Sequence, residues 1–292
     1  MSPLVSVGVP TFNGSRYVER TIRSVLAQEL TDFELIICDD GSTDRTLELV
    51  AGFADPRIRI EPGPADGAAA NFNRLIDLSR GRWFKLLCQD DLLYPDCLRR
   101  QVDALERGAD DHVVMATSRR DIIDDDDRVI LRAHGWRSAA GVVNGDVVIR
   151  SILREGKNLV GEPSAVLSDR ATLVAMGGFS TDQAYTVDVD AWIRLMSRGN
   201  LAYIPEALCT FRISSSSWSS RLARQQGQQV RATMRAIARD HGDIVSRFDL
   251  ASGLVRGGML AAARRGVFAA ARRLPARGTV QIGAPVPAPD DH

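Results

Sequence analysis

The residue pattern predicts an α/β fold with a mostly parallel central sheet, helices on its faces and further helices at the C-terminal end. Three observations predict it. In the first hundred residues short apolar runs alternate with segments of helical periodicity, and strands separated by helices pair in parallel in a doubly wound sheet. Three of those runs end in polar or acidic loops, at 10–14, 39–44 and 89–91, which places the loops at the carboxyl edge where such sheets bind ligands. The composition is that of a globular protein, with 45% hydrophobic and 25% charged residues among 292.

Taken in order, residues 4–9 form a Val-rich strand broken by Thr11-Phe12-Asn13-Gly14. Val18, Ile22, Val25 and Leu26 then recur at helical spacing to about residue 28. A second strand at 33–38 runs into Asp39-Asp40-Gly41-Ser42-Thr43-Asp44, where Ser42 or Thr43 can cap a helix and Asp44 suits its first turn. A short strand at 57–61, a helix at 70–79 ended by Gly81, and a strong strand at 83–88 follow. Pro95 opens the next helix. The second half is less regular: strands at 113–117, 129–131 and 201–204, a segment at 161–167, and helices at 146–154, 169–177, 190–197, 220–240 and 254–274. The proline-bearing tail 275–292 reads as disordered. The chain divides into 1–105 and 106–218 as two halves of one domain, 219–274 as C-terminal helices, and the tail.

Several function classes are excluded. Thirty-seven basic and thirty-seven acidic residues cancel, which argues against a nucleic-acid partner. Four cysteines without C-x-x-C spacing argue against structural zinc and fit a reducing compartment. Arg16, Glu19, Arg20 and Arg23 interrupt any apolar leader, and no window approaches a spanning length, so the protein reads as cytoplasmic. Four scattered histidines give little support to a His-based metal site or triad. Neither a dinucleotide nor a P-loop glycine motif is present. Residues 251–278 hold six Arg and no acid, which suits a basic amphipathic helix on an anionic membrane surface or a solvated helix packed on the domain.

The chemistry-bearing residues are acidic. Asp39-Asp40 offers two carboxylates at a strand end, of which one caps the turn and the other can face the crevice. Asp90-Asp91 juxtaposes two carboxylates, which repel unless a cation sits beside them, and oxygen ligands suit Mg²⁺ or Mn²⁺. Asp188 and Asp190 precede a helix; Asp190 can cap it and Asp188 can act as a general base. The acidic run 124–127 lies between short strands and reads as a solvated hairpin turn.

Together these segments resemble the inverting family-2 nucleotide-sugar glycosyltransferases of GT-A fold, over roughly residues 4–215. Residues 5–13 resemble the family's opening strand and P-x-[YF]-N loop, and Ser24-Val25-Leu26-Ala27-Gln28 its S-[IV]-L-x-Q helix. Residues 38–44 resemble D-D-G-S-x-D, and Asn73, eight residues before Gly81, fits N-x-G-x-x-x-A-x-G. Residues 87–91 stand at L-D-x-D-D; Gly177-Gly178-Phe179 and residues 188–195 resemble the later G-G-F and E-D-x-x-[LW]-x-x-R-L signatures. The resemblance implies that Pro10, Thr11, Phe12, Asn13, Asp39, Asp40 and Asn73 line the nucleotide site. It implies that Asp90 and Asp91 hold Mn²⁺ or Mg²⁺, and that Asp188 deprotonates the acceptor. Glu162, Trp192 and Arg212 would lie on the acceptor side. Three positions depart from the pattern: Cys88 replaces the first Asp of D-x-D, Val187 the Glu before the base, and Ser214 the His of R-x-H.

The implied activity is hexosyl transfer from a UDP- or dTDP-sugar to a saccharide, lipid-linked or small-molecule acceptor, in cell-surface polysaccharide or glycoconjugate biosynthesis. The setting would be the cytoplasm or the inner face of the membrane, with peripheral contact through 254–274. The alternative is a nucleotide-sugar-binding module without turnover.

Overall fold

The computed structural model describes residues 2–137, 139–182, 184–214 and 226–271, with backbone alone at 184, 226 and 261–271. The expected tail 275–292, most of the serine-rich loop, the start of the helix expected at 220 and residues 272–274 lie outside the described residues.

The chain runs β1 (Val5–Thr11), α1 (Val18–Leu26), β2 (Phe33–Asp39), α2 (Thr46–Ala51), β3 (Ile58–Pro62), α3 (Ala68–Leu78), β4 (Trp83–Leu86) and α4 (Cys97–Arg107). It continues through β5 (Val113–Ile123), β6 (Val129–His134), β7 (Gly141–Val143), α5 (Gly145–Glu155), β8 (Val166–Asp169), α6 (Arg170–Ala175), α7 (Val187–Met196) and β9 (Asn200–Arg212). Two helices follow, α8 (Gln226–Asp240) and α9 (Arg247–Ala271). Among the described residues these strands form one nine-stranded sheet of order β3-β2-β1-β4-β8-β5-β9-β7, with β6 added on β5.

The first four strands are parallel, and their register sets Thr11 beside Asp39 and Asp39 beside Pro62 at one edge. Every residue of β2 is buried. A strand covered on both faces needs apolar residues at odd and even positions alike, and its side chains alternate between two cores. Leu35 and Ile37 join Val5, Val7, Ile22 and Leu98 on one side. Ile36 and Cys38 join Leu75, Phe84, Met115 and Trp192 on the other. In α1 the buried stripe is Val18, Ile22 and Val25, the spacing an amphipathic helix requires.

The second half departs from the parallel expectation. β8 runs antiparallel between β4 and β5, β6 is antiparallel to β5, and β7 is antiparallel to β9. A short connection forces β5 and β6 into a hairpin. β5 and β9 pair in parallel and are far longer than expected. Their extensions carry Arg119, Arg120, Asp121 and Arg212, polar residues that hide the strand period yet, apart from Arg119, are all but buried. α9 packs along α5, where Arg256 pairs with Glu155 at 2.5 Å and Ser252 donates to the Arg154 carbonyl at 3.3 Å. Among the described residues no helix is long and apolar enough to cross a membrane.

Candidate active site

Three loops meet at the carboxyl edge of β1, β2 and β4. Thr11 Oγ1 and Ser42 Oγ donate to Asp39 Oδ1 at 2.8 and 2.6 Å, and the Gly41 and Ser42 amides donate to Oδ2 at 3.2 and 2.8 Å. Both oxygens of Asp39 are thus engaged by its own loop and β1. Among the described residues Asp40 receives one bond, from the Ala65 amide at 2.7 Å on Oδ1. Asn13 adopts φ +49° and latches the loops: its Oδ1 accepts from the Thr43 amide at 2.8 Å while its own amide donates to Ser42 Oγ at 2.9 Å. The helix expected from 42 begins at Thr46, and Asp44 accepts from the Thr46 amide at 2.9 Å. Phe12 is 48% exposed. Gln89 clamps Phe12 to the acidic loop, accepting from its amide at 3.0 Å and donating to its carbonyl at 3.1 Å. Gly14 sits so close beneath that a Cβ there would collide with the Gln89 amide.

The two carboxylates after β4 point differently. Asp91 is 1% exposed; its Oδ1 accepts from the Arg212 amide at 2.9 Å, and its Oδ2, beside Ser164, has no partner in hydrogen-bonding geometry among the described residues. Asp90 is half-buried, and its backbone carbonyl accepts from Arg212 Nε at 2.8 Å. Burial pushes both carboxyls up, and for Asp91 the charge of Asp90 adds to it. Arg212 is the brace of this corner. Its guanidinium also donates to the Asp124 carbonyl and to Asp127 Oδ1, and lies 4.4 Å over the Tyr17 ring. Tyr17 donates to Asp125 Oδ1 at 2.6 Å, and Arg20 to Asp127 Oδ2 at 2.6 Å. The 124–127 run is therefore a hairpin turn, as expected, but a docked one: Asp125 and Asp127 hold α1 and β9 together.

Asp188 lies in the first turn of α7. Its Oδ2 accepts from Asn158 Nδ2 at 2.9 Å and its Oδ1 from the Val189 amide at 2.8 Å. Burial, with the charge of Glu162 in support, outweighs these bonds and pushes its carboxyl up to about 7. Asn158 also folds the adjoining loop: it donates to the Gly161 carbonyl at 2.9 Å and accepts from the Gly161 amide at 2.9 Å. Gly161 has φ +117°, a conformation that favours glycine, and this turn presents Glu162 to the buried Arg120, whose Nε lies 2.5 Å from Oε2. Asp190 pairs with Arg194 at 2.8 Å, an intrahelical pair in place of the expected cap.

Cys88 joins the two centres. Its thiol is pushed well up by burial and by the charges of Asp91, Asp90, Asp188 and Glu162, all of which reach it. A neutral thiol there relieves a site already crowded with carboxylates. Among the described residues no three His, Cys, Asp or Glu side chains are arranged to hold a metal ion. The donor set that fits is narrower: the Asp90 carboxylate, to be completed by ligand oxygens, as is common for Mg²⁺.

The residues expected at the nucleotide site come together, except that Asn73 is committed elsewhere. Its Nδ2 donates to the Phe179 carbonyl at 2.9 Å and its Oδ1 accepts from the Phe179 amide at 2.7 Å, tying α3 to the Gly178 turn. Trp192 is 2% exposed and donates to the Gly161 carbonyl at 2.9 Å, so it supports the Glu162 turn from beneath. Arg212 lies behind Asp90 and Asp91, on the acidic loop. Sequence reasoning missed Gln89, Asn158 and Arg120. Only the closeness of Gln89 to Asp90 and of Asn158 to Gly161 could have signalled two of them.

Comparison with known proteins bears on the family and the fold. The model of the family described as glycosyl transferase family 2 matches residues 6–152. The chondroitin synthase of Escherichia coli is 35% identical over 136 residues, which are 46% of this chain and 20% of that synthase; the match spans a fifth of its length. Among solved structures, Staphylococcus aureus TarS 1–349 in complex with UDP-GlcNAc superposes with TM-score 0.69 at 17% identity, covering 90% of this chain and 74% of that one. Mannosyltransferase PcManGT of Pyrobaculum calidifontis, in complex with GDP-Man and Mn²⁺, gives 0.59 at 19% identity over 93% and 81%. With a family match over half its length and a sheet of this topology, the chain belongs to glycosyl transferase family 2 and has the GT-A fold.

Proposed function

We propose that the chain transfers a sugar, with inversion, from a UDP- or dTDP-sugar to an acceptor hydroxyl in polysaccharide or glycoconjugate assembly. The observation that supports the reading most is the meeting of the 10–14, 39–44 and 89–91 loops at the carboxyl edge of β1, β2 and β4, with the Phe12 backbone bonded to Gln89 and the Asn13 amide to Ser42. The UDP-GlcNAc and GDP-Man held by the two structural neighbours, the Mn²⁺ of one, and the polysaccharide product named for the synthase support it.

On this reading Phe12, Asn13 and Asp40 bind the nucleoside, with the free oxygen of Asp40 toward the base, while Asp39 holds the loop in shape. Asp90 would hold Mn²⁺ or Mg²⁺ together with the donor diphosphate, and the cation would neutralise charge developing on the leaving group. Asp91 and Arg212 fix the Asp90 backbone. Asp188 takes the proton of the acceptor hydroxyl. That oxygen bonds to the anomeric carbon as the carbon–oxygen bond to the diphosphate breaks, and the diphosphate departs with the bonding pair. A positioned general base contributes roughly 10²–10⁴-fold.

Residues 1–105 would form the donor half, 106–218 the acceptor half, and 219–274 a buttress. Val255 and Met259 stand exposed along α9, which supports peripheral membrane contact through 254–274. Four free thiols suit a cytoplasmic setting. The test is a thermal-shift screen of UDP-, dTDP- and GDP-sugars with and without Mn²⁺. A Mn²⁺-dependent rise with one nucleotide, lost in Asp90→Ala, supports the reading. Absence of a shift with every donor overturns it.

A further inference from the structure

A second concave site adjoins the first. Between β6, the connection to β7, α5 and α9 lies a cleft of about 580 Å³. Its walls carry Arg132, Arg137, Arg154, Lys157 and Arg256, against the single acid Glu155. Arg256 is matched by Glu155 at 2.5 Å, and the exposed Arg132 reaches Asp121 at 3.6 Å. Arg137, Arg154 and Lys157 make no ion pair among the described residues, although the charge of Arg154 is felt by Asp249. In a chain whose charges cancel overall, such a concentration is local and creates a positive field within the cleft. Trp136 supplies an aromatic wall, held edge-on to Tyr203 at 6.2 Å and bonded through its amide to the Tyr203 hydroxyl at 2.6 Å.

The cleft shares two walls with the Asp188 centre. Lys157 and Leu159 line it, and between them Asn158 donates to Asp188 Oδ2 at 2.9 Å. His134 lines it as well, and its carbonyl accepts from Arg120 Nη1 at 3.4 Å, the same guanidinium that meets Glu162. One residue of chain, about 3.8 Å, separates the Cα of Lys157 from that of Asn158. The 157–159 backbone is thus a wall common to the cleft and the Asp188 centre. The charge arrangement fits a particular acceptor. Among the described residues carboxyl groups, and not cations, face the Asp188 centre, whereas cations line the cleft, so an anionic acceptor would have its charge held to one side of Asp188.

We infer that this cleft binds an oxyanion of the acceptor, a carboxylate or phosphodiester on the saccharide chain, while the next sugar presents its hydroxyl to Asp188. The inference rests on the glycosyl-transfer reading for the role of Asp188. It assigns Arg137, Arg154 and Lys157 as the recognition residues and Trp136 as the face against which a sugar ring packs.

The test measures binding of three labelled oligomers by fluorescence anisotropy: oligogalacturonate for carboxylate, a glycerol-phosphate oligomer for phosphodiester, and neutral maltohexaose. Wild type and the double variant Arg137→Ala/Lys157→Ala are compared, with the UDP-GlcNAc and Mn²⁺ thermal shift as a second readout. The inference expects one anionic oligomer to bind more tightly than maltohexaose, to weaken with salt, and to lose about tenfold or more in the double variant. The donor shift should not change, which also shows that the variant folds. The anionic oligomer that binds identifies the carried group. Equal binding of all three oligomers, or wild-type binding by the double variant, overturns the inference. Salt-sensitive binding of an anionic oligomer that is lost in the double variant, with no wild-type shift for any UDP-, dTDP- or GDP-sugar, would instead overturn the glycosyl-transfer reading and leave an anion-binding cleft.

Discussion

Replacing Asp188 with asparagine should slow transfer sharply and, above neutral pH, stabilise the fold. The carboxyl rises from the ordinary 3.8 to about 7, chiefly through burial, with Glu162 and Cys88 as its titratable neighbours and Asn158 as its bonding partner. Between about pH 4 and 7 the folded protein keeps a proton that the unfolded chain has released. Stability therefore falls as pH rises through that window, and the whole cost is present above 7. A shift of that size corresponds to roughly 4 kcal/mol. Because Asp188 keeps some solvent contact, about 2–4 kcal/mol is the range to expect. Asparagine is nearly isosteric, never ionises and can still bond to Asn158, so it removes the cost. Urea denaturation of wild type and Asp188→Asn at pH 5 and pH 8 would read it. The variant should gain at pH 8 and much less at pH 5. The wild-type pH profile of kcat/KM should rise about tenfold per unit below 7 and level above it, while the variant loses roughly 10²–10⁴-fold in kcat. A flat profile from pH 6 to 9, or no gain in stability at pH 8, would refute the reasoning.

Three further outcomes follow from the geometry. Arg212→Met strands Asp127 and two backbone carbonyls around a buried position, and should cost on the order of 3 kcal/mol, read as a fall in Tm of roughly 5–10 °C. Gly161→Ala forces a side chain onto φ +117° with its Cβ 3.2 Å from Arg120 Nη1, a strain of about 1–3 kcal/mol; because it moves Glu162, kcat should fall more than Tm. Gln89→Ala removes the two bonds that hold Phe12, worth about 1 kcal/mol net, and should raise the donor KM about fivefold with kcat little changed.

The parallel half of the sheet could be read from the sequence because its strands are apolar on both faces and end in loops of Asp, Asn and Gly. Asp90 and Asp188 stood out in the sequence because each lies next to an apolar run, beyond the end of β4 and in the first turn of α7. β5 and β9 could not, because Arg120, Asp121 and Arg212 are buried polar residues that break the apolar pattern. Their burial depends on partners 42, 27 and 85 positions away, at Glu162, Tyr94 and Asp127. Asp39 shows the same difficulty within one motif: sequence gives two adjacent carboxylates, and only the bonds from Thr11, Gly41 and Ser42 show which one shapes the loop. Asn158 carries no periodicity or motif at all, and its contact with Asp188 arises only where the 158–162 loop meets the start of α7.

The central claim divides the site between Asp90, which would hold the donor through a cation, and Asp188, which would take the acceptor proton. Calorimetric titration of UDP-GlcNAc with Mn²⁺ into wild type, Asp90→Asn and Asp188→Asn, paired with turnover on the same samples, tests that division. The account predicts that Asp90→Asn loses the Mn²⁺-dependent binding heat, whereas Asp188→Asn binds as wild type but does not turn over. Wild-type turnover by Asp188→Asn, or full Mn²⁺-dependent binding by Asp90→Asn, would contradict it.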